Sequence, residues 1–340
     1  MFTITRYFGL ITVVIVLVIG VALTTSAGYA QTTNETPTVV SVPPQSVRST
    51  NPYHLKKVVV GTNFVLGLLE NQTLVTWGAN RFWQTTIPYR YKDTLFTDIA
   101  AGNHTSYALD TTGQVVVWAD PIDCPTCVDD QNVVPVAAQS GVVAIAAGGS
   151  NALAIKSDGS IVIWGSNLYG QLNVPANVTN VTQAAIGSGH VVVVKSDGTV
   201  VAWGRNNFGQ TSVPPGLTGV TAVAAGSYHS IALLSNGRGV AWGSNLYGES
   251  KMPGFSNIVQ VVAGYNFSAV RLSNGNVSAW GDNSDGNVSS LRSARNAKVI
   301  GAAYVNSVVG FNNGVIKAYG SNVFNPLITR THTTTPYYSP

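Results

Sequence analysis

Residues 144–175, AIAAGGSNALAIKSDGSIVIWGSNLYGQLNVP, are one copy of a unit that the 340-residue chain writes seven times. With Gly148 as origin, Gly159 falls at +11, Trp164 at +16, Asn167 at +19 and Tyr169 at +21. Origins at Gly61, Gly102, Gly148, Gly187, Gly226, Gly264 and Ala303 lead 16 residues on to Trp77, Trp118, Trp164, Trp203, Trp242, Trp280 and Tyr319. Successive origins are 41, 46, 39, 39, 38 and 39 residues apart. A fixed period of this size marks a propeller or a solenoid.

The interior of the unit decides between them. Residues 223–226 form a short apolar run that ends at a glycine, and residues 229–237 form a second run that closes on Asn-Gly. Other copies close on Asp158-Gly159, Asp197-Gly198, Asn274-Gly275 and Asn313-Gly314, pairs that supply the positive φ of a two-residue hairpin. A third run follows, as in residues 160–164, then a loop, and residues 172–175 are expected to add a fourth, outer strand, where proline is tolerated at a sheet edge. Ala152, Leu153, Ala154 and Ile155 are all apolar, as a strand covered on both faces requires. No helical period appears after the leader. The expectation is an all-β, seven-bladed β-propeller of four-stranded antiparallel blades, with the seven aromatics at +16 plugging the gaps between blades.

Only 9% of residues are charged, against about 25% in an average domain, so Asn, Ser, Thr and Gly build much of the surface. The net charge of +4 is carried without a Lys/Arg cluster beyond Lys56-Lys57, which excludes a nucleic-acid footprint. Residues 1–30 have the form of a secretory signal: Arg6 in the charged region, an apolar run at 10–23, and small residues at Gly28 and Ala30 before a cut at Gln31. The alternative is an uncleaved anchor, because the run falls only slightly short of the span of about 17–25 residues. No second apolar span follows, so no membrane span is expected after cleavage.

Residues 31–56 form a Thr/Pro/Ser-rich linker, residues 57–325 the propeller, and residues 326–340 a Thr/Pro-rich tail. Ser41-Val42-Pro43-Pro44 echoes Ser212-Val213-Pro214-Pro215, the outer position of the fourth copy, and the seventh copy lacks that outer segment. Residues 39–42 are therefore expected to complete the last blade as an N-terminal closing strand. The second copy carries an acidic insertion holding Cys124 and Cys127, a pair expected to form a local disulfide in an oxidising compartment.

The run Gly-x-x-His-Ser-x-Ala-Leu-x-x-Asn-Gly at 226–237, with Trp242, and the fuller match at 187–210 resemble the regulator of chromosome condensation repeat. The leader and the short repeats make the chain similar to secreted bacterial members such as beta-lactamase inhibitory protein II. That resemblance implies a seven-bladed propeller that binds proteins through its loop faces. The nuclear branch would imply nucleotide exchange on a small GTPase, which a secretory leader argues against.

No nucleophile elbow, zinc spacing or phosphate loop is present. His190 and His229 share the +3 slot with Phe64, Thr105, Asn151, Phe267 and Asn306, as suits a structural position. Asp282-Asn283-Ser284-Asp285-Gly286 misses the calcium-loop spacing and its distal Glu. No catalytic residue, metal or cofactor is expected. The recurring +21 aromatics Phe82, Tyr169, Phe208, Tyr247 and Phe324 are assigned mostly to packing. Trp83, Tyr228, Tyr265 and Tyr304 break the repeat; the three tyrosines sit at the variable +1 and +2 positions, and all four are the candidate protein-contact residues. The expected function is a secreted, monomeric, non-enzymatic propeller that binds a protein partner. The alternatives are a carbohydrate-binding propeller at the cell surface, with a glycan as ligand, and a propeller-fold hydrolase or lyase.

Overall fold

The computed structural model describes residues 54–119 and 132–320. The leader, the closing strand expected at residues 39–42, the Cys124–Cys127 pair and Phe324 lie outside the described residues.

Seven three-stranded antiparallel sheets follow one another along the chain, at residues 55–78, 96–118, 142–165, 181–204, 220–243, 258–281 and 297–320, here blades 1 to 7. Each is one continuous stretch, with its strands in sequence order as inner, middle and outer. In blade 5 these are Val220–Ala225, His229–Leu234 and Gly239–Gly243, with Val223 opposite Ala232 and Ile231 opposite Ala241. The hairpin between middle and outer strands turns on Asn236-Gly237: Gly237 takes φ +74, and the Arg238 N–H donates to Asn236 Oδ1 at 3.0 Å. Blade 1 has no glycine there, and Gln72 itself adopts φ +66.

Every inner strand carries a register shift near its start, a bulge that increases local twist. The bulged residue points outward, and where it is Thr182 or Thr221 its hydroxyl donates back to the middle strand, to Val194 O and Leu233 O at 3.2 Å. The inner strands line a central channel of about 380 Å³ walled by small residues such as Ala100, Ala146, Ala185 and Ala224.

The core is divided into seven clusters, one in each seam between neighbouring blades. Each cluster holds the +16 aromatic of the later blade: Trp118 in the seam from blade 1 to 2, then Trp164, Trp203, Trp242, Trp280, Tyr319, and Trp77 where blade 7 meets blade 1. The six tryptophans are 2–7% exposed. The cluster joining Val299 and Val308 to Leu55, Val58 and Trp77 closes the ring.

Directional bonds fix each seam. The indole N–H of Trp118, Trp203, Trp242 and Trp280 donates to the backbone carbonyl of Gln84, Gln171, Gln210 and Glu249 in the preceding blade, at 3.0, 2.7, 3.0 and 2.9 Å. Ser106, Ser230 and Ser268 donate to the carbonyls of Gln84, Gln210 and Glu249 at 2.7–2.8 Å. Because Ser230 and Ser268 spend their protons there, they accept from His190 Nε2 at 3.0 Å and His229 Nε2 at 2.8 Å, which places the imidazole protons on Nε2. The two histidines are thus structural, as their slot suggested.

Those rings also explain the origin glycine. A Cβ at Gly187 or Gly226 would stand 2.4 Å from the Cε1 of His190 or His229, and one at Gly61 or Gly264 about as close to the ring of Phe64 or Phe267. A backbone carbonyl of the next blade crowds the same spot, Ile186 O at 2.0 Å from a Cβ on Gly148 and Gly226 O at 2.3 Å from one on Gly187, so the glycine is required by close approach, of a ring, of the neighbouring backbone or of both.

A second set of bonds alternates around the inner ends. Asp98 accepts from the Ile145 N–H at 3.0 Å, and Gln183 and Gln260 each clasp both backbone groups of Val223 and Ile300 in the next blade. The closing seam uses other contacts: Lys298 pairs with Glu70 at 2.6 Å and Asn306 Nδ2 donates to Thr62 O at 3.0 Å.

The structure differs from the sequence expectation in two places. Residues 172–175 form turns, so among the described residues each blade shows three laddered strands where four were expected. Asn167 Oδ1 takes the Leu172 N–H, Gly170 O takes that of Asn173, and Leu172 O takes that of Val174, which leaves no donor for a ladder before Pro175. Where the sixth copy loses its Val-Pro ending, a short helix, Asn287–Arg292, buries Val288 and Leu291 against blades 6 and 7. Its six residues span too few turns for the periodicity to show in sequence.

Trp242→Ala should lower the unfolding free energy by about 3–5 kcal/mol, read from urea midpoints; a loss below about 1 kcal/mol would contradict the plug role. Burial holds His190 down at about 3, helped by the neighbouring His229, and holds His229 down at about 4, against an unfolded value of 6.5. The unfolded chain therefore takes up protons first. This part of the stability is complete above about pH 6.5 and is lost, at roughly 1.4 kcal/mol per unit per histidine, as pH falls toward 4. His190→Phe with His229→Phe, the residue type at the same slot in blades 1 and 6, should flatten the decline of melting temperature between pH 6.5 and 4.

Candidate functional site

Within each blade the inner strand ends at the origin and turns at +1 and +2, the middle strand runs back, and the outer strand returns. The +1/+2 turns and the loops at +18 to +23 therefore share one face of the ring, and the Asp/Asn-Gly hairpins occupy the other.

The loops on the first face are built by two repeated amides. The Asn at +19 accepts the N–H five residues on: Asn80 from Thr85, Asn167 from Leu172 and Asn206 from Thr211, each at 2.9 Å. The Gln at +23 reaches back to the N–H of the +21 aromatic: Gln84 to Phe82, Gln171 to Tyr169 and Gln210 to Phe208, at 2.7–2.9 Å. Glu249 does the same for Tyr247 at 2.8 Å and also accepts from Ser244 Oγ at 2.5 Å. With both amide oxygens bonded to the loop backbone, the +21 ring is carried on a fixed support.

Those rings face outward. Tyr169, Phe208 and Tyr247 are 39%, 41% and 55% exposed, although their recurrence had assigned them to packing. Repetition in sequence does not separate a ring that fills a seam from one held beside it.

Three of the four candidate contact residues come together. Tyr228 lies edge-on to Tyr265 at 5.5 Å between ring centroids, and Tyr265 stacks on Tyr304 at 5.9 Å with 25° between planes. Phe208 joins Tyr228 at 5.1 Å, and Arg205 lies between Tyr169 and Tyr228, 4.9 and 5.0 Å from their centroids. The Tyr265 N–H donates to Tyr304 O at 2.8 Å, which fixes the spacing of those two turns. The result is an arc of half-buried and exposed rings from blade 3 to blade 7.

Trp83 is on the same face, 47% exposed with φ +58, in the loop of blade 1 beside Phe82, which packs on His104 at 4.7 Å. No ring contact among the described residues links it to the tyrosine arc. Sequence reasoning missed Arg205, Tyr169 and Phe208. The available signal was Arg205 itself, at a +18 slot that holds Ala79, Ser166 and Ser244 in other blades.

Among the described residues this face gathers no cluster of acid–base groups, and no three His, Cys, Asp or Glu groups converge as metal ligands. Asp282 and Asn283 are occupied by the N–H groups of Ser284 and Ser289 at 2.9 Å. The hydrogen bond to Tyr228, then burial, pushes the Tyr265 phenol up to about 12; Tyr304 is raised by burial and by Tyr228.

The Regulator of chromosome condensation (RCC1) repeat family matches residues 142–171, 181–210, 220–249 and 258–287, which are blades 3 to 6 from inner strand to the +23 residue, so the chain carries RCC1 repeats. No curated protein matches. Among solved structures, Prp20p of Saccharomyces cerevisiae is 18% identical with a TM-score of 0.58, over 73% of this chain and 80% of that one. The CRINKLY WD40 ectodomain of the Arabidopsis thaliana receptor kinase ACR4 is 17% identical with a TM-score of 0.59, over 79% and 98%. Human WBSCR16 is 16% identical with a TM-score of 0.57, over 74% and 85%. These likenesses show the RCC1-like seven-bladed propeller fold.

Spectrophotometric titration at alkaline pH should find Tyr265 ionising near pH 12, with the fully buried Tyr107 titrating later still, and Tyr228→Phe should bring the Tyr265 transition down toward 10 while leaving Tyr107 unmoved. An unchanged titration in Tyr228→Phe would mean the two phenols do not interact.

Proposed function

We propose that this propeller of RCC1 repeats is a secreted, non-enzymatic module that binds a protein partner through the aromatic arc, in the manner of an inhibitor or an adhesion module. The observation that carries the reading is the run of Tyr169, Phe208, Tyr228, Tyr265 and Tyr304 along one rigid face. Tyrosine supplies large contact area for only two side-chain torsions, and exposed aromatics are the commonest anchors of binding hot spots. Loops whose amides are already spent lose little further entropy on docking, so more of the contact energy appears as affinity.

Relatives in fold support a protein partner: Prp20p is described with binding properties toward Gsp1p and histones. Receptor-kinase ectodomains of this fold, from ACR4 and from Physcomitrella patens CR4, suit an extracellular setting. Secretion rests on the leader at residues 1–30. A non-catalytic role is supported by the commitment of His190 and His229 to the seams.

The test is affinity capture from the native extracellular fluid with the mature chain, followed by mass spectrometry, beside the triple variant Tyr228→Ala, Tyr265→Ala, Tyr304→Ala. The captured protein should bind the variant at least about tenfold more weakly, since hot-spot truncations cost about 2 kcal/mol or more. Equal capture by both would remove this face from the reading, and glycan-array binding without a protein partner would replace it with the carbohydrate alternative.

A further inference from the structure

We propose that Arg205 is a carboxylate anchor: the partner docking on this face inserts an Asp or Glu side chain, flanked by an apolar or aromatic residue, onto the guanidinium edge held between Tyr169 and Tyr228. The proposal rests on the protein-binding reading of the arc and names the chemistry of its partner.

Arg205 is not needed by the fold. Its backbone N–H donates to Gly189 O at 2.8 Å, and the residues at the same slot do likewise: Ala79 to Asn63, Ser166 to Ser150, Ser244 to Tyr228 and Asp282 to Asn266. The loop closes equally well on alanine or serine. The side chain's internal contacts are with the two rings. Its Nε is buried without a hydrogen-bond partner, and among the described residues no carboxylate forms an ion pair with it.

The site is shaped around it. A Cβ at Gly189 would meet Tyr169 Cδ2 at 2.7 Å and Arg205 Cβ at 3.4 Å. The same +2 slot carries Asn63, His104, Ser150, Tyr228, Asn266 and Val305 in the other blades. Only blade 4 omits the side chain there, and the space is taken by Tyr169 leaning onto the guanidinium. Two rings, centred 4.9 and 5.0 Å from the guanidinium carbon, hold the cation by cation–π contact. The hydrogen-bonding capacity that remains lies in the guanidinium plane, along its edge. A carboxylate fills such an edge with two parallel bonds, and the aromatic walls keep water from competing.

The neighbourhood selects protein over other anions. A nucleic acid needs several cations along a track; among the described residues the remaining ring-stacked arginines, Arg81 over Phe82 at 5.6 Å and Arg90 over Tyr91 at 4.8 Å, both lie in the segment that follows blade 1. The rings of Phe208, Tyr228 and Tyr265 beside Arg205 offer apolar surface for the residues flanking the acid.

The test is selection of disulfide-constrained random peptides displayed on phage against the mature chain. Each peptide is then remade with every Asp or Glu changed to its amide and measured on wild type, Arg205→Gln, Arg205→Lys and the triple tyrosine variant, with melting temperature as the fold control. Peptides lost on the triple variant should be enriched in Asp or Glu beside Leu or an aromatic. One acid-to-amide change should weaken binding to wild type by about 10–100-fold, the range of a charge-assisted bidentate pair. Arg205→Gln should weaken the acidic peptide equally and no longer distinguish it from its amide form. Arg205→Lys should recover only a minority of the affinity, because an ammonium gives neither the stack nor the fork. Tyrosine-dependent peptides that lack a needed acid, or that bind Arg205→Gln as well as wild type, overturn the carboxylate anchor and leave the docking face in place. Failure to select any tyrosine-dependent peptide overturns both.

Discussion

The structure depends on a tryptophan ring wedged between two blades with its N–H aimed at one carbonyl of the blade before. Among the described residues each blade is three strands wide, and its inner-strand edge opens on the channel, so a sheet of this size would be marginal alone. Burying a large ring in every seam gives each blade a neighbour to lean on, and at Trp118, Trp203, Trp242 and Trp280 the indole hydrogen bond helps set the rotation between them. Trp242, bonded to Gln210 O inside a cluster that also holds Val192, Val220 and Ala232, shows both parts in one side chain.

The accepting carbonyl belongs to the +23 residue, whose side chain reaches the opposite way. Gln210 gives its carbonyl to Trp242 and Ser230 and its Oε1 to the N–H of Phe208. One residue therefore ties the seam to the exposed ring two positions earlier. Rigidity made in the core is passed directly to the face that meets a partner. The face needs no ordering of its own, and variation at +1 and +2 leaves the support untouched.

Polar groups in the seams are handled with equal economy. Ser230 and Ser268 act as relays between a backbone carbonyl and the imidazoles of His190 and His229, which lets two buried histidines stay neutral with one nitrogen satisfied. Blades 1 and 6 use phenylalanine at the same slot and need no relay. The ring therefore tolerates two chemistries in one position, and only the histidine version makes its stability sensitive to acid.

The seven-fold repeat, the hairpin glycines and the plugging tryptophans were legible in the sequence, because each is imposed by local geometry that recurs with a fixed period. Tyr228, Tyr265 and Tyr304 were legible as departures from that period, though not as neighbours. The loss of the fourth strand was hidden, since whether residues 172–175 ladder depends on where Asn167 and Gly170 send their hydrogen bonds. Arg205, Tyr169 and Phe208 were hidden for a related reason: whether a ring is buried in a seam or laid against a cation is decided by a residue 20 to 36 positions away in the adjoining blade. Sequence alone determined how many units there are and what holds them; only the closed ring, by bringing the turn of one blade beside the loop of another, decided which side chains meet on its face.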